Sequence, residues 1–236
     1  MSNYNRKTHD VVWSLLAETS SRLRLVGKAL EIAGHVASFA MWQRVRQLNG
    51  SRRFLHREAL WRSLFPRYAT GPVTVLEFGV ASGNATRFWL SNISNPRLTW
   101  HGFDTFSGLP QAWHRGGLEF AARGTFSNNG RPPDIADDRL TWHVGLVQET
   151  LPELSLDPGA PLCVLFDMDI YEPTAFALDW LSDKLKLGDV LFFDEAYDPF
   201  HERRLIDEML ARGLRFRSLG ATGIALLVEI EVPQHA

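Results

Sequence analysis

The chain has 236 residues, 45% of them hydrophobic and 22% charged, with a formal net charge of −2. That length fits one α/β domain with a modest extension, and the composition is that of a globular protein with a core of ordinary size. There is no basic excess to attract nucleic acid and no polybasic run to attract a membrane surface, so neither is expected as a partner.

The single cysteine, Cys163, lies in the apolar run Leu162-Cys163-Val164-Leu165-Phe166 and reads as a small buried hydrophobe. One thiol forms no internal disulfide, and nothing points to an oxidising compartment. Met1 to Asp10 is polar and has no apolar signal-peptide region. Leu25 to Trp42 is interrupted by Lys28, Glu31 and His35, which argues against a membrane span. The cytoplasm is the expected location.

Residues 1–70 read as a helical cap or extension. Val11, Val12, Leu15 and Leu16 recur at helical spacing, as do Leu23, Val26, Leu30 and Val36. Asn49-Gly50-Ser51 is a break, and a second helix is expected from Arg53 to Phe65, ending near Pro66. This part is either a plain cap on the main domain, a cover over a substrate site, or the contact of a homodimer.

Residues 71–236 have a different texture. Apolar runs at Val73–Phe78, Leu98–Phe103, Leu140–Val144, Leu162–Phe166 and Val190–Phe193 alternate with helical stretches near Asn84–Ile93 and Thr174–Leu185. Continuous apolar strands separated by helices predict a parallel sheet covered on both faces. Leu205–Arg212 follows as a helix. Arg215–Leu219 and Gly223–Ile230 then form a hairpin around Gly220-Ala221-Thr222. The expected fold is α/β and doubly wound: a mostly parallel seven-stranded sheet, Rossmann-like, with an antiparallel last strand.

The first strand runs into Glu77-Phe78-Gly79-Val80-Ala81-Ser82-Gly83-Asn84. Gly79 allows a sharp turn and Gly83 a close backbone approach by a ligand; Ser82 or Asn84 suits the cap of the next helix. Ala81 replaces the middle glycine of the dinucleotide fingerprint, and no Gly-Lys-Ser/Thr follows, so nicotinamide-type and P-loop chemistry are disfavoured. Glu77 would repel a pyrophosphate and suits a ligand carrying an amino group and a sulfonium. An ordinary strand-to-helix turn is the alternative.

Asp104 ends the second strand 25 residues after Gly79, where an acid accepts ribose hydroxyls, or else caps the next helix. Gly145 to Gln148, after the third strand, suit an adenine pocket. Asp167, Asp169, Asp194 and Glu195 lie at the ends of two apolar strands that should be neighbours, and strand alternation puts Asp167 and Asp169 on one side. Clustered carboxylates repel one another, and their oxygens suit a hard cation such as magnesium. Such a cation would lower the pKa of a coordinated hydroxyl, with Asp169 accepting its proton. Helix caps and solvated turns are the alternative use of these acids.

His114 and His201, in loops, are rival bases, whereas His143, in a strand, reads as structural. The long connection Ser107–Asp138, with Trp113, Phe120 and Phe126, reads as a lid over the site or as a surface insertion.

Taken together, Glu77 to Gly83, Asp104-Thr105-Phe106-Ser107-Gly108-Leu109-Pro110, Gly145 with Thr150-Leu151-Pro152, Asp167-Met168-Asp169-Ile170-Tyr171-Glu172-Pro173-Thr174 and Phe193-Asp194-Glu195 resemble the macrocin O-methyltransferase family. The resemblance spans about Val73 to Glu229. It implies a class I S-adenosylmethionine fold, methylation of sugar or natural-product hydroxyls, and in several members a divalent ion, usually magnesium.

On that resemblance Glu77, Gly79, Gly83, Asp104, Thr105, Gly145, Gln148 and Asp167 serve the cofactor. Asp169 is both base and metal ligand, and Asp194 and Glu195 are the other ligands. The chain departs from the family's Asp-Asp at Glu195. The expected activity is O-methylation of a small-molecule acceptor. The alternatives are a metal-independent methyltransferase, using Asp169 or a histidine, and a catalytically silent binding protein of the same fold.

Overall fold

The computed structural model describes residues 14–18, 24–48, 52–115 and 118–232. The expected helix around Val11 and Val12, the break at Asn49-Gly50-Ser51 and the glycine pair Gly116-Gly117 lie partly or wholly outside them.

The centre is a parallel sheet built from the five apolar runs. These are β2 (Val73–Phe78), β3 (Leu98–Asp104), β6 (Leu140–Val144), β7 (Leu162–Phe166) and β8 (Val190–Phe193). A hairpin of β9 (Arg215–Ala221) and β10 (Leu226–Val232) closes one side, β10 running antiparallel to β8. Seven strands were expected. An eighth, β1 (Arg52–Arg53), adds parallel to β9 at the edge, giving the order β1-β9-β10-β8-β7-β2-β3-β6. A separate antiparallel pair, β4 (Trp113–Arg115) and β5 (Leu118–Ala121), stands in the long connection after β3.

Residues 14–18 are helical, and from residue 24 on the described helices are α1 (Arg24–Val45), α2 (Arg57–Arg62), α3 (Asn84–Asn92), α4 (Val147–Thr150), α5 (Tyr171–Leu181) and α6 (Glu202–Ala211). The expected helix from Arg53 to Phe65 is not one element: β1 comes first, α2 begins at Arg57, and Pro66 sits inside a 3₁₀ turn over Phe65–Tyr68. Pairing of Arg52 with Gly220 ties this segment to the sheet edge and explains the interruption.

In α1, Phe39 is fully buried, with Ile32, Val36 and Trp42 packed beside it, while Val26 and Leu30 stay exposed. The helix is held on α6 by polar contacts as well: Trp42 Nε1 donates to Asp207 at 3.1 Å and Arg46 pairs with Asp207 at 2.7 Å. Among the described residues no helix is long and apolar enough to cross a membrane.

Both sheet faces are buried. Leu76, Phe78, Val164, Phe166 and Phe193 face one core with α1, α5 and α6, while Val73, Val75, Trp100, Leu165 and Phe192 face the other with Trp61, Trp89 and Leu60. At the carboxyl ends an aromatic row crosses five strands. His143 stacks on Phe103 (4.3 Å between ring centres), Phe103 meets Phe78 (5.0 Å), Phe78 meets Phe166 (5.5 Å) and Phe166 meets Phe193 (5.2 Å). Parallel register places these residues opposite one another. Each such pair contributes about 0.5–1.5 kcal/mol beyond burial, and the row makes a firm floor at the strand ends. The order of strands reverses between β2 and β7, and in open α/β sheets ligands settle at that crevice.

Candidate active site

A cavity of about 900 Å³ opens over this floor, within the usual size of small-molecule sites. Its walls are the loops after β2, β3, β6, β7 and β8, and it is lined by Glu77, Gly79, Asp104, Thr105, Gly145, Gln148, Asp167, Asp169, Asp194 and Glu195. Of the eleven residues that the sequence assigns to cofactor, base or metal only Gly83 is not on its wall.

The loop after β2 is shaped by backbone approach. Gly79 has φ +88°, and a Cβ there would lie 1.8 Å from the Asp167 carbonyl oxygen. The close approach is therefore to β7's own continuation rather than to a ligand. Gly79 thus makes the sharp turn expected of it, whereas Gly83 differs from its expected role. It caps α3 in the left-handed region at φ +77°, and a Cβ would meet Pro133 and Ile135 at 2.8 and 2.9 Å. Neither Ser82 nor Asn84 is the cap residue.

Asp104 holds this loop. Its Oδ2 accepts the N–H of Val80 (2.9 Å) and of Ala81 (2.8 Å), and Oδ1 accepts that of Phe106 (2.7 Å). A carboxylate has about four acceptor positions, so most are spent on the loop and little is left for ribose hydroxyls. The helix-cap alternative is answered too: Asp104 ties two loops together, with Phe106 at φ +53° and Ala81 at φ +47° turning away from it.

Glu77 lines the cavity but its Oε2 is turned into the core. It accepts the indole N–H of Trp100 at 2.9 Å and the hydroxyl of Thr86. Strand alternation causes this, because Glu77 shares the face of Val73 and Val75. Burial raises its pKa from 4.5 to about 8, against the pull of the two donors.

The acid cluster sits across the switch point. Asp167 and Asp169 follow the end of β7, so strand alternation does not orient them; the loop does. Asp169 is at φ +64°, a conformation that Asp tolerates better than most residues and that marks functional loops. It is not a helix cap: Ile170 occupies that place before α5. Asp194 and Glu195 follow β8 and are buried.

Into this group comes a residue the sequence did not mark. Nη1 of Arg57, the first residue of α2, lies 3.1 Å from Asp194 Oδ2 and 3.5 Å from Asp167 Oδ2. Burial works against the guanidinium charge, but the two carboxylates outweigh it and hold its pKa above the ordinary value. Asp167 is pushed well above the usual carboxylate range, first by loss of hydration and then by the charges of Asp194 and Asp169. A second unmarked acid, Glu202 at the start of α6, accepts the Glu195 N–H at 2.8 Å and is raised by burial and by Asp194 and Glu195.

Magnesium is not accommodated as expected. Asp169, Asp194 and Glu195 offer hard oxygen donors along one wall, yet among the described residues no three acids or histidines close into a group that could hold an ion. The Arg57 guanidinium instead reaches the Asp194 carboxylate.

The histidines are elsewhere. His143 pairs with His101 (3.0 Å) at the sheet edge, as its strand position suggested. His201 meets the His114 carbonyl at 2.9 Å, and neither ring lines the cavity. The long connection after β3 does cover the site: Trp113, Phe120 and Phe126 line it, with Trp113 and Phe120 packed edge to face at 4.9 Å. From the other side α1 supplies Ile32 and places Lys28 over Phe120 at 5.2 Å. The N-terminal residues thus reach the site through Ile32 and Arg57. No periodicity argument singles out Arg57, because its partners lie more than a hundred residues away.

Sheet order, the antiparallel β10 and a cavity at the switch point define a doubly wound, Rossmann-like fold, which solved methyltransferase structures share. Solved structures agree. The chain is similar to calicheamicin methyltransferase CalS11, at 21% identity over 97% of this chain and 93% of that one, with a TM-score of 0.55. It is similar to the apo structure of CalS11, TDP-rhamnose 3'-O-methyltransferase, at 23% identity over 73% and 76% of the two chains (TM-score 0.50). A putative O-methyltransferase from Klebsiella pneumoniae is 14% identical over 84% and 90%, also with a TM-score of 0.50. No protein-family model and no curated protein sequence matches the chain.

Proposed function

We propose that this protein is an S-adenosylmethionine-dependent O-methyltransferase that acts on a hydroxyl of a small-molecule acceptor, of the sugar or natural-product kind, with Asp169 as general base. One observation carries this: a single cavity at the switch point gathers the Gly79–Ser82 loop, Asp104, Gly145 to Gln148 and Asp169, under an apolar cover.

The cofactor brings a methyl group on a positively charged sulfur. An acid-rich wall suits that charge, and 900 Å³ has room for cofactor and acceptor together. The loop held by Asp104 would hold the cofactor's amino-acid end, and Gly145 to Gln148, on the same wall, would hold its adenine. Asp169 would take the proton of the acceptor hydroxyl, and the cofactor would supply the methyl group to that oxygen, its sulfur keeping the bonding pair as a neutral thioether. Most of the acceleration is positioning. Trp113, Phe120 and Phe126 keep water from the sulfonium. Magnesium assistance, which the sequence resemblance carries, is replaced in this proposal by a metal-independent form because Arg57 is already among the acids.

Calorimetry with S-adenosylhomocysteine tests the proposal. Binding heat in the micromolar range is expected; no heat with this ligand or with S-adenosylmethionine would sink it.

A further inference from the structure

Arg57 is the one basic residue among the described residues on the cavity wall, which also carries Asp167, Asp169, Asp194 and Glu195. It is placed there by construction. Pairing of Arg52 and Arg53 with Gly220 and Ala221 anchors β1 to β9, and α2 follows within four residues. Behind the guanidinium stands Trp61, one turn along α2, with its ring 5.5 Å away. Trp61 is buried and meets Phe192 of β8 edge to face at 5.4 Å. The side chain is thus held between an aromatic face and two carboxylates, an arrangement suited to a planar, always-charged guanidinium.

We propose that Arg57 is the built-in positioning cation of this site, doing for the carboxylate cluster what a bound divalent ion would do, so that the protein needs none. The inference rests on the methyl-transfer reading. Arg57 offsets the repulsion between Asp167 and Asp194 and keeps both side chains on the wall. Asp169, on its left-handed turn, stands on the same wall, where the acceptor proton would go. Through the one nitrogen Nη1 the guanidinium reaches both carboxylates, without the octahedral shell of oxygens that magnesium demands. Glu195 in place of a second aspartate is then tolerated, since no ion constrains its length.

The test uses manganous ion alone, followed by its paramagnetic resonance signal, with the intact protein and the variants Arg57→Gln and Arg57→Lys. The wild type and Arg57→Lys should leave the free-ion signal unchanged at millimolar ion. Arg57→Gln, with its carboxylates uncompensated, should gain a site and remove the signal; a merely structural arginine predicts no such gain. Once an acceptor is in hand, chelator should leave wild-type turnover intact and Arg57→Gln should lose about 10- to 100-fold, with Arg57→Lys recovering part. Wild-type binding of manganous ion as tight as that of Arg57→Gln overturns the proposal, as does a folded Arg57→Gln that binds none. Arg57→Met, which keeps the packing on Trp61, replaces Arg57→Gln if the latter does not fold. The ion measurement needs no cofactor, so its failure is distinct from an absence of S-adenosylhomocysteine heat.

Discussion

Trp100 donates its indole N–H to Glu77 Oε2 at 2.9 Å, and that bond ties a residue of the cavity wall to the core beneath it. The acid has been drawn inward to an oxygen that Thr86 shares. The carboxyl is neutral in the folded protein up to about pH 8, whereas its unperturbed value is 4.5. Unfolding between those limits releases a proton. The stability this group contributes is therefore complete below the unfolded value and is lost as pH rises through the folded one. Glu77→Gln, which keeps an oxygen for both donors, should melt higher than wild type at pH 8, by on the order of a few kcal/mol, and equal to it near pH 4. Thermal melts across that range check this; a variant that is less stable at pH 8 would refute it.

Asp104 supports a second prediction. Asp104→Ala leaves the N–H groups of Val80, Ala81 and Phe106 without their acceptor, and each such loss costs about 1–3 kcal/mol where buried. The loop should loosen and S-adenosylhomocysteine affinity should fall by at least about tenfold, since 1.4 kcal/mol is a factor of ten. Asp104→Asn keeps one oxygen and should fall between the two. Calorimetry showing unchanged affinity in Asp104→Ala would remove Asp104 from the site.

The five parallel strands and the closing hairpin were legible in the sequence, and ten of the eleven residues it assigns to the site line one cavity; the order of the strands was not. The reasons are local: apolar runs of strand length, and an acid or glycine at each strand's end. What was not legible depended on distance or on backbone. Gly79 and Gly83 announced their freedom but not what presses on them, which is a carbonyl in one case and Pro133 with Ile135 in the other. Glu77 was assigned to the ligand because its position in the loop motif suggested it, although its face of the strand points to Trp100. Arg57 carried no signal because nothing near it in the chain needs a cation. The divalent-ion expectation followed from the family resemblance and from the cluster of acids, neither of which shows that this arginine is among them.

His101 and His143 form a neutral pair across β3 and β6, one ring nitrogen donating to the other at 3.0 Å. Burial first, then His143, lowers the His101 value from 6.5 to about 4, and burial lowers that of His143. The unfolded chain takes up these protons before the folded one does. Stability is complete above about pH 6.5 and is lost as pH falls toward 4. The double variant His101→Gln, His143→Gln should flatten the acid limb of the melting curve by on the order of 1–2 kcal/mol at pH 4.5. An acid limb as steep as that of wild type would count against the pair.

Asp169→Asn separates chemistry from shape. Asparagine adopts the left-handed region as readily as aspartate, so φ +64° is kept without new strain. The amide has no basic oxygen to take a proton from a hydroxyl. S-adenosylhomocysteine affinity should stay within about threefold of wild type, while turnover on an accepted hydroxyl substrate falls by about 10²-fold or more. A fully active Asp169→Asn would reject Asp169 as the base.

Gly220 tests whether the N-terminal segment is part of the folded core. A Cβ there would lie 2.4 Å from Leu60 Cδ1 and 2.8 Å from the Phe54 ring. Leu60 is fully buried, so it has little room to retreat. Gly220→Ala should therefore push α2 outward or strain the β1–β9 edge, at about 1–3 kcal/mol. For a domain of this size that lowers the melting temperature by several degrees. Arg57 sits one turn before Leu60, so the same displacement moves the guanidinium from Asp194. Gly220→Ala should then admit manganous ion weakly, in the direction of Arg57→Gln, while S-adenosylhomocysteine affinity holds, because the cofactor loops rest on β2, β3 and β6. A variant with wild-type melting temperature would show that the segment is not pressed against β9 as the structure has it.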